Sequence, residues 1–139
     1  MSVPVFVDTN ILIYADDRAV PTKRERAQNL IREVIREQTG RLSLQVLQEF
    51  FAAATRKLGL AADVARRRVE LYARLDVVRL EPADVLAAID LHRLYRVSVW
   101  DALIIRAALL AGCRKLYSED LQSGFRIEKL EVVNPFSGG

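Results

Sequence analysis

Between Arg24 and Gln38 the residues Ala27, Leu30, Ile31, Val34 and Ile35 recur at i, i+3, i+4, i+7 and i+8. That spacing lines up one buried stripe on a helix. Thr22 and Glu25 have capping-box spacing at its start, and Gly40 stands just past its end. A second helix is expected from Gln45 to Leu58, burying Val46, Leu47, Phe50, Phe51 and Ala54 and stopping at Gly59. A third is expected from about Ala62 to Leu75, with Ala65, Val69, Tyr72 and Ala73 inward, and a fourth begins at Pro82, a favoured first helical position. The fifth, Val99 to Gly112, is apolar around most of its circumference, which predicts a core helix.

Short apolar segments lie between these helices: Val3 to Val7, Arg41 to Leu44, Val77 to Leu80, Lys115 to Ser118 and Leu130 to Val133. Strands of this length alternating with helices predict repeated βαβ units, hence an α/β fold with a largely parallel central sheet of four or five strands flanked by helices. No Gly/Ser-rich linker, internal repeat or low-complexity tract divides the chain, so a single domain over 1–139 is expected.

The apolar run VFV breaks at Asp8, Thr9 and Asn10 before apolar residues resume. Glu49 falls one turn into the second helix, Asp101 opens the fifth, and Glu119 and Asp120 follow Ser118 at the end of a strand. In an open parallel sheet, ligands bind in the crevice beyond the carboxyl ends of the strands, and that edge is where these acids fall. Each also has a structural explanation. Asp8 and Asp120 suit turns or caps, Asp101 completes a capping box from Ser98, and Glu49 suits a solvated helix position. If they converge, each pair of unit charges at about 4 Å costs roughly 4 kcal/mol at an effective dielectric near 20, so a cation belongs among them. Oxygen-only ligands favour hard ions, Mg²⁺ or Mn²⁺, and not zinc.

Composition narrows the chemistry. The chain has 139 residues, 51% of them hydrophobic, with a net charge of +3. No apolar stretch approaches the roughly 20 residues of a membrane span, and no signal peptide precedes VFVD, so a cytoplasmic protein is expected. Cys113 is alone, which excludes an intramolecular disulfide and a cysteine-rich metal site. His92 is the only histidine and lies mid-helix, which argues against an acid-base pair of histidines. No nucleophile elbow or Gly-rich phosphate loop is present, which leaves metal-assisted hydrolysis. An acidic cluster in a basic protein is the charge pattern of a nuclease. Lys23, Arg24 and Arg26, and Arg66, Arg67 and Arg68, are candidate clusters for binding a polyanion, with solvated helix faces as the alternative.

The stretches VFVDTNILIYA, LQVLQEFF, VSVWDALIIRAA and LYSEDL, in this order and closed by VVNPF, resemble the PIN-domain nucleases, and the compact form resembles the VapC toxins of bacterial toxin-antitoxin pairs. The resemblance covers nearly the whole chain. It implies a Rossmann-like PIN fold whose acidic pocket binds Mg²⁺ or Mn²⁺ and cuts RNA endonucleolytically. It assigns the catalytic, metal-binding carboxylates to Asp8, Glu49, Asp101 and Asp120, with Thr9, Asn10 and Ser118 as supporting polar residues. Glu119 is an extra carboxylate, either supporting the site or solvated. The implied partners are RNA, a VapB-like antitoxin and a second copy of the chain. Apolar helix surface at Phe50, Phe51, Leu58 and Leu60 adds a separate motive for an interface. The alternatives are a PIN nuclease of RNA processing or turnover without an antitoxin, and a non-catalytic RNA-binding protein of the same fold.

Overall fold

The computed structural model describes residues 3–137. In order, the elements are β1 (Val5–Val7), α1 (Thr9–Tyr14), α2 (Pro21–Glu37), β2 (Gly40–Ser43), α3 (Leu44–Arg56), α4 (Ala62–Tyr72), β3 (Asp76–Val78), α5 (Pro82–Tyr95), α6 (Val99–Leu110), β4 (Lys115–Tyr117), β5 (Arg126–Ile127) and β6 (Leu130–Val133). The strands form one sheet in the order β3-β2-β1-β4-β6-β5, parallel throughout except for β5. The α/β class with a largely parallel sheet is as the periodicity predicts. Two elements are additional. α1 has six residues, too few for a stripe to declare itself, and β5 has two residues that pair only with β6.

The chain moves outward from β1 to β2 and β3, then returns to place β4 on the other flank of β1. The boundary between β1 and β4 is therefore the topological switch point, where a crevice opens beyond the strand ends. Helices that link parallel strands run back along the sheet, so the first turns of α1, α3 and α6 come to the same edge as the strand ends. Phe6, Val7, Leu42, Leu116 and Val132 from the strands pack with Ile11, Leu12, Val46, Phe50, Ile104 and Ile105 from the helices to form the core. Burial of these apolar faces is what holds the edge in place.

Several local expectations are corrected. α2 begins at Pro21 with Val20 as its cap and no side-chain capping bond, so the Thr22 and Glu25 capping box does not form. Proline supplies a preset φ and lacks an N–H, so it takes the first position ahead of Thr22. Gln38, at φ 58°, ends that helix, while Gly40 already belongs to β2. A Cβ on Gly40 would lie 3.0 Å from both Leu75 Cδ2 and Val34 Cγ2. Gly40→Ala is thus expected to cost about 1 kcal/mol by overpacking against two yielding side chains, seen as a lower denaturation midpoint at unchanged m. Phe50 is fully buried and meets the Tyr72 ring edge-on at 5.3 Å, so it offers no interface surface; Phe51, expected inside, and Ala73 are exposed. One helix stripe has a limited width, and Phe51 lies 100° round from Phe50.

Only Asp84 and Ala88 of α5 are buried. Asp84 closes a capping box with Glu81 and accepts two hydrogen bonds from Arg106 of α6, at 3.0 and 2.8 Å. Among the described residues no helix is long and apolar enough to cross a membrane.

Candidate metal centre

The register pairs Val7 with Tyr117, which sets the next residues, Asp8 and Ser118, side by side at the switch point. The Asp8 N–H donates to the Tyr117 carbonyl at 3.0 Å. Asp8 is the N-cap of α1, and its Oδ1 accepts from the Thr9 N–H at 2.7 Å. Its Oδ2 accepts from the Ser118 hydroxyl at 2.7 Å. Capping therefore does not exclude a role in the site, because the cap uses Oδ1 and leaves Oδ2 turned to Ser118.

Glu49 is aimed from α3. Its Oε1 accepts from the Thr9 hydroxyl at 2.9 Å and its Oε2 from Gln45 Nε2 at 3.2 Å. Gln45 also donates to the Trp100 carbonyl at 3.4 Å, tying the first turn of α3 to that of α6. The Ser98 hydroxyl accepts from the Asp101 N–H at 3.0 Å and so fixes the turn that carries Asp101. Asn10 donates to Ser118 Oγ at 3.4 Å and accepts from the Glu119 N–H at 3.2 Å, while Ser118 Oγ also accepts from the Asp120 N–H at 3.2 Å. Ser118 is fully buried and is the hub that joins Asp8, Asn10 and Asp120.

Burial pushes the Asp8 carboxyl up to about 6, reinforced by the charges of Asp120 and Asp101 and opposed by the Ser118 and Thr9 hydrogen bonds. Asp101 is also raised, by burial first, with Asp120 and Glu49 adding to it. Asp8, Asp101, Asp120 and Glu49 thus lie within electrostatic range at one edge. Among the described residues, no three acidic, histidine or cysteine side chains converge closely enough to grip one ion between them. The donor set nevertheless suits Mg²⁺ or Mn²⁺, because Mg²⁺ retains several waters and needs only one or two carboxylates from the protein.

Glu119 does not share this environment. Its Oε1 accepts from the Tyr14 hydroxyl at 2.5 Å and its Oε2 from Lys23 Nζ at 2.6 Å. Burial alone would raise its carboxyl, but those two donors outweigh it and hold the group below its ordinary range. Lys23 also stands 4.7 Å from the centre of the Tyr14 ring and 5.5 Å from that of Phe136. Among the basic candidates, Arg26 donates to the Pro135 carbonyl at 2.9 Å. Arg66 pairs with Glu70, Arg67 with Asp63 at 4.0 Å and Arg68 with Asp16 at 3.2 Å, while Arg24 has no ion-pair partner among the described residues. His92 Nδ1 donates to the Val97 carbonyl at 2.6 Å, at an exposed position. Sequence reasoning passed over Gln45 and Tyr14. The signal for Gln45 was its i, i+4 relation to Glu49; Tyr14 had none, because its partner lies 105 residues away.

An open, mostly parallel sheet with an acidic pocket at its switch point defines a class of Rossmann-like α/β proteins suited to hard cations. The family model of the PIN domain matches residues 5–126, and this chain belongs to that family. Three solved structures are similar at low identity. Mycobacterium tuberculosis VapC20, described as a sarcin-ricin-loop-cleaving toxin, is 18% identical with a TM-score of 0.66, over 82% of this chain and 88% of that one. A toxin-antitoxin complex from Klebsiella pneumoniae is 20% identical with a TM-score of 0.69, over 95% and 98%. VapBC2 from Rickettsia felis, bound to a DNA fragment from its promoter, is 17% identical with a TM-score of 0.64, over 92% and 96%. At these identities the likeness shows the fold. No curated protein matches the chain by sequence.

Proposed function

We propose that this chain is a divalent-metal-dependent endoribonuclease and the toxin of a toxin-antitoxin pair. The observation that carries the reading is the gathering of Asp8, Asp101, Asp120 and Glu49 at the switch-point edge, where Asp8 feels Asp120 and Asp101, and Asp101 feels Asp120 and Glu49. These four residues would hold Mg²⁺ or Mn²⁺, one or two of them directly and the rest through the waters such an ion retains. When bound, such an ion supplies a Lewis acid that activates water and stabilises charge on the leaving oxygen. The chain's own part is orientation. Ser118 and the Thr9 N–H fix the two oxygens of Asp8, and the Thr9 hydroxyl and Gln45 fix those of Glu49.

The test is incubation of purified protein with RNA in Mg²⁺, in Mn²⁺ and in EDTA. Internal cleavage is expected only with metal; RNA left whole in every condition sinks the reading. The sarcin-ricin-loop-cleaving VapC20 supports RNA as substrate, and the Klebsiella toxin-antitoxin complex and VapBC2 support a VapB-like antitoxin as partner.

A homodimer is part of the same reading, supported by apolar side chains on the outer face of α5, where Leu86 is 64% exposed with Val85 and Ile89 beside it. Sedimentation of the Asp101→Asn protein at micromolar concentration is expected to report a dimer, and Leu86→Asp a monomer. A monomer before any change at Leu86 removes the homodimer from the reading.

A further inference from the structure

The crevice at the carboxylates continues as a groove of about 540 Å³ along α3, lined by Glu49, Glu119 and Asp120 near the strand ends, by Arg56 and Lys57 at the far end of α3, and by the Asp17 carboxylate. Glu49, Ala52, Ala53 and Arg56 stand at i, i+3, i+4 and i+7, so one stripe of α3 forms the wall. At 1.5 Å per residue, Arg56 lies about 10 Å along the helix axis from Glu49. The two alanines between them leave the wall low, and Ile13 completes an apolar floor.

Arg56 and Lys57 are exposed, and among the described residues neither side chain makes an ion pair or a hydrogen bond. They differ in this from Lys23, Arg66, Arg67 and Arg68, each of which is held by a carboxylate of the chain. A cation already paired must break that pair to meet a phosphate, whereas Arg56 and Lys57 have only water to lose. Their place at the end of α3 also favours positive charge through the helix dipole, but that effect makes no use of the groove.

We propose that Arg56 and Lys57 are the phosphate-binding end of the groove, holding backbone phosphates beside the scissile one so that a single RNA strand lies along α3 toward the carboxylates. The inference rests on the nuclease reading and adds to it the path of the substrate. Arg56 offers a planar fork to phosphate oxygens, and Lys57 a point charge beside it. The carboxylate end repels a polyanion, and this pair supplies the opposing attraction on the same groove.

The experiment measures the affinity of a fluorescent single-stranded oligoribonucleotide for the Asp101→Asn protein by anisotropy at several KCl concentrations. Cleavage by the wild-type protein with Mg²⁺ is followed in parallel. Changing Arg56 and Lys57 together to Ala is expected to weaken binding on the order of tenfold, and to flatten the log-log salt slope by about 1.4, or roughly 0.7 for each phosphate that is no longer neutralised. The charge-conserving exchange, Arg56→Lys with Lys57→Arg, is expected to keep the slope. Ala52→Phe, which raises the wall without touching charge, is expected to weaken binding at unchanged slope. Equal melting temperatures across the set separate these effects from helix stability. An unchanged slope in the double alanine variant overturns the proposal, as does a flattened slope on changing Arg66 and Arg67 instead. Metal-dependent cleavage by wild type alongside either result leaves the nuclease reading standing. A parent protein that neither binds nor cuts RNA overturns both.

Discussion

Asp8→Asn and Asp101→Asn are each expected to lower metal-dependent RNA cleavage by more than roughly a hundredfold, since the outer partners of metal ligands alone are commonly worth 10–100-fold. The fold should survive, because an Asn at position 8 keeps a carbonyl oxygen to accept the Thr9 N–H, and position 101 is held through its backbone by Ser98. Metal-free stability supplies a second readout with a definite sign. The Asp8 carboxyl rises from an ordinary 3.8 to about 6 on folding, chiefly through burial. Below pH 3.8 the folded and unfolded chains both hold this proton. Between the two values the folded chain keeps a proton that the unfolded chain releases, so this contribution to stability is lost as pH rises through about 6. At roughly 1.4 kcal/mol per pH unit, the ionised carboxyl costs about 3 kcal/mol at neutral pH. Asp8→Asn in EDTA should therefore be more stable than wild type at about pH 7, with the advantage shrinking toward about pH 4. Cleavage by both variants at the wild-type rate and metal demand would remove these residues from the site.

Ser118→Ala is expected to produce the next largest loss, about 10–100-fold in cleavage, although the serine is fully buried. Its hydroxyl donates to Asp8 and accepts from Asn10 and the Asp120 N–H, so alanine releases three groups at once. The Ser118 hydrogen bond lowers the Asp8 carboxyl against the effect of burial, and without it that carboxyl should titrate higher than about 6. A carbon-13 NMR titration of the metal-free variant measures this directly. Ser118→Thr, which keeps the hydroxyl, should restore part of the activity. An Asp8 titration that does not move in the alanine variant would show that Ser118 does not tune this carboxyl.

The proposed nuclease site also separates two uses of neighbouring acids. Glu119 and Asp120 are adjacent, yet the first is neutralised by Lys23 and Tyr14, while the second contributes repulsion to Asp8 and Asp101. The Lys23 pair is part-exposed and adds little stability by itself, but it keeps Glu119 turned toward α2.

The layered α/β class is legible along the chain, because periods of 3.6 and 2 are local and survive translation into helices and strands. Ala27, Ile31 and Val34 are buried where the stripe placed them, and β2, β4 and β6 fall within a residue of their apolar segments. Asp8, Glu49, Asp101 and Asp120 are marked in the same way, since an acid at the end of an apolar strand or in the first turn of a helix is visible without coordinates. How these acids relate to one another is a matter of long-range packing. Ser118 meets Asp8 across 110 residues, and Lys23 meets Glu119 across 96, only because β4 settles beside β1 in a register that pairs Val7 with Tyr117. The same packing removed Phe50 from the surface, left Phe51 on it, gave Arg68 its Asp16 partner while Arg66 and Arg67 pair at i,i+4 within α4, and brought Arg56 and Lys57 to the groove. A side chain's periodic position states which face it occupies. What that face meets is set by strand order and register, which depend on burying the whole core at once.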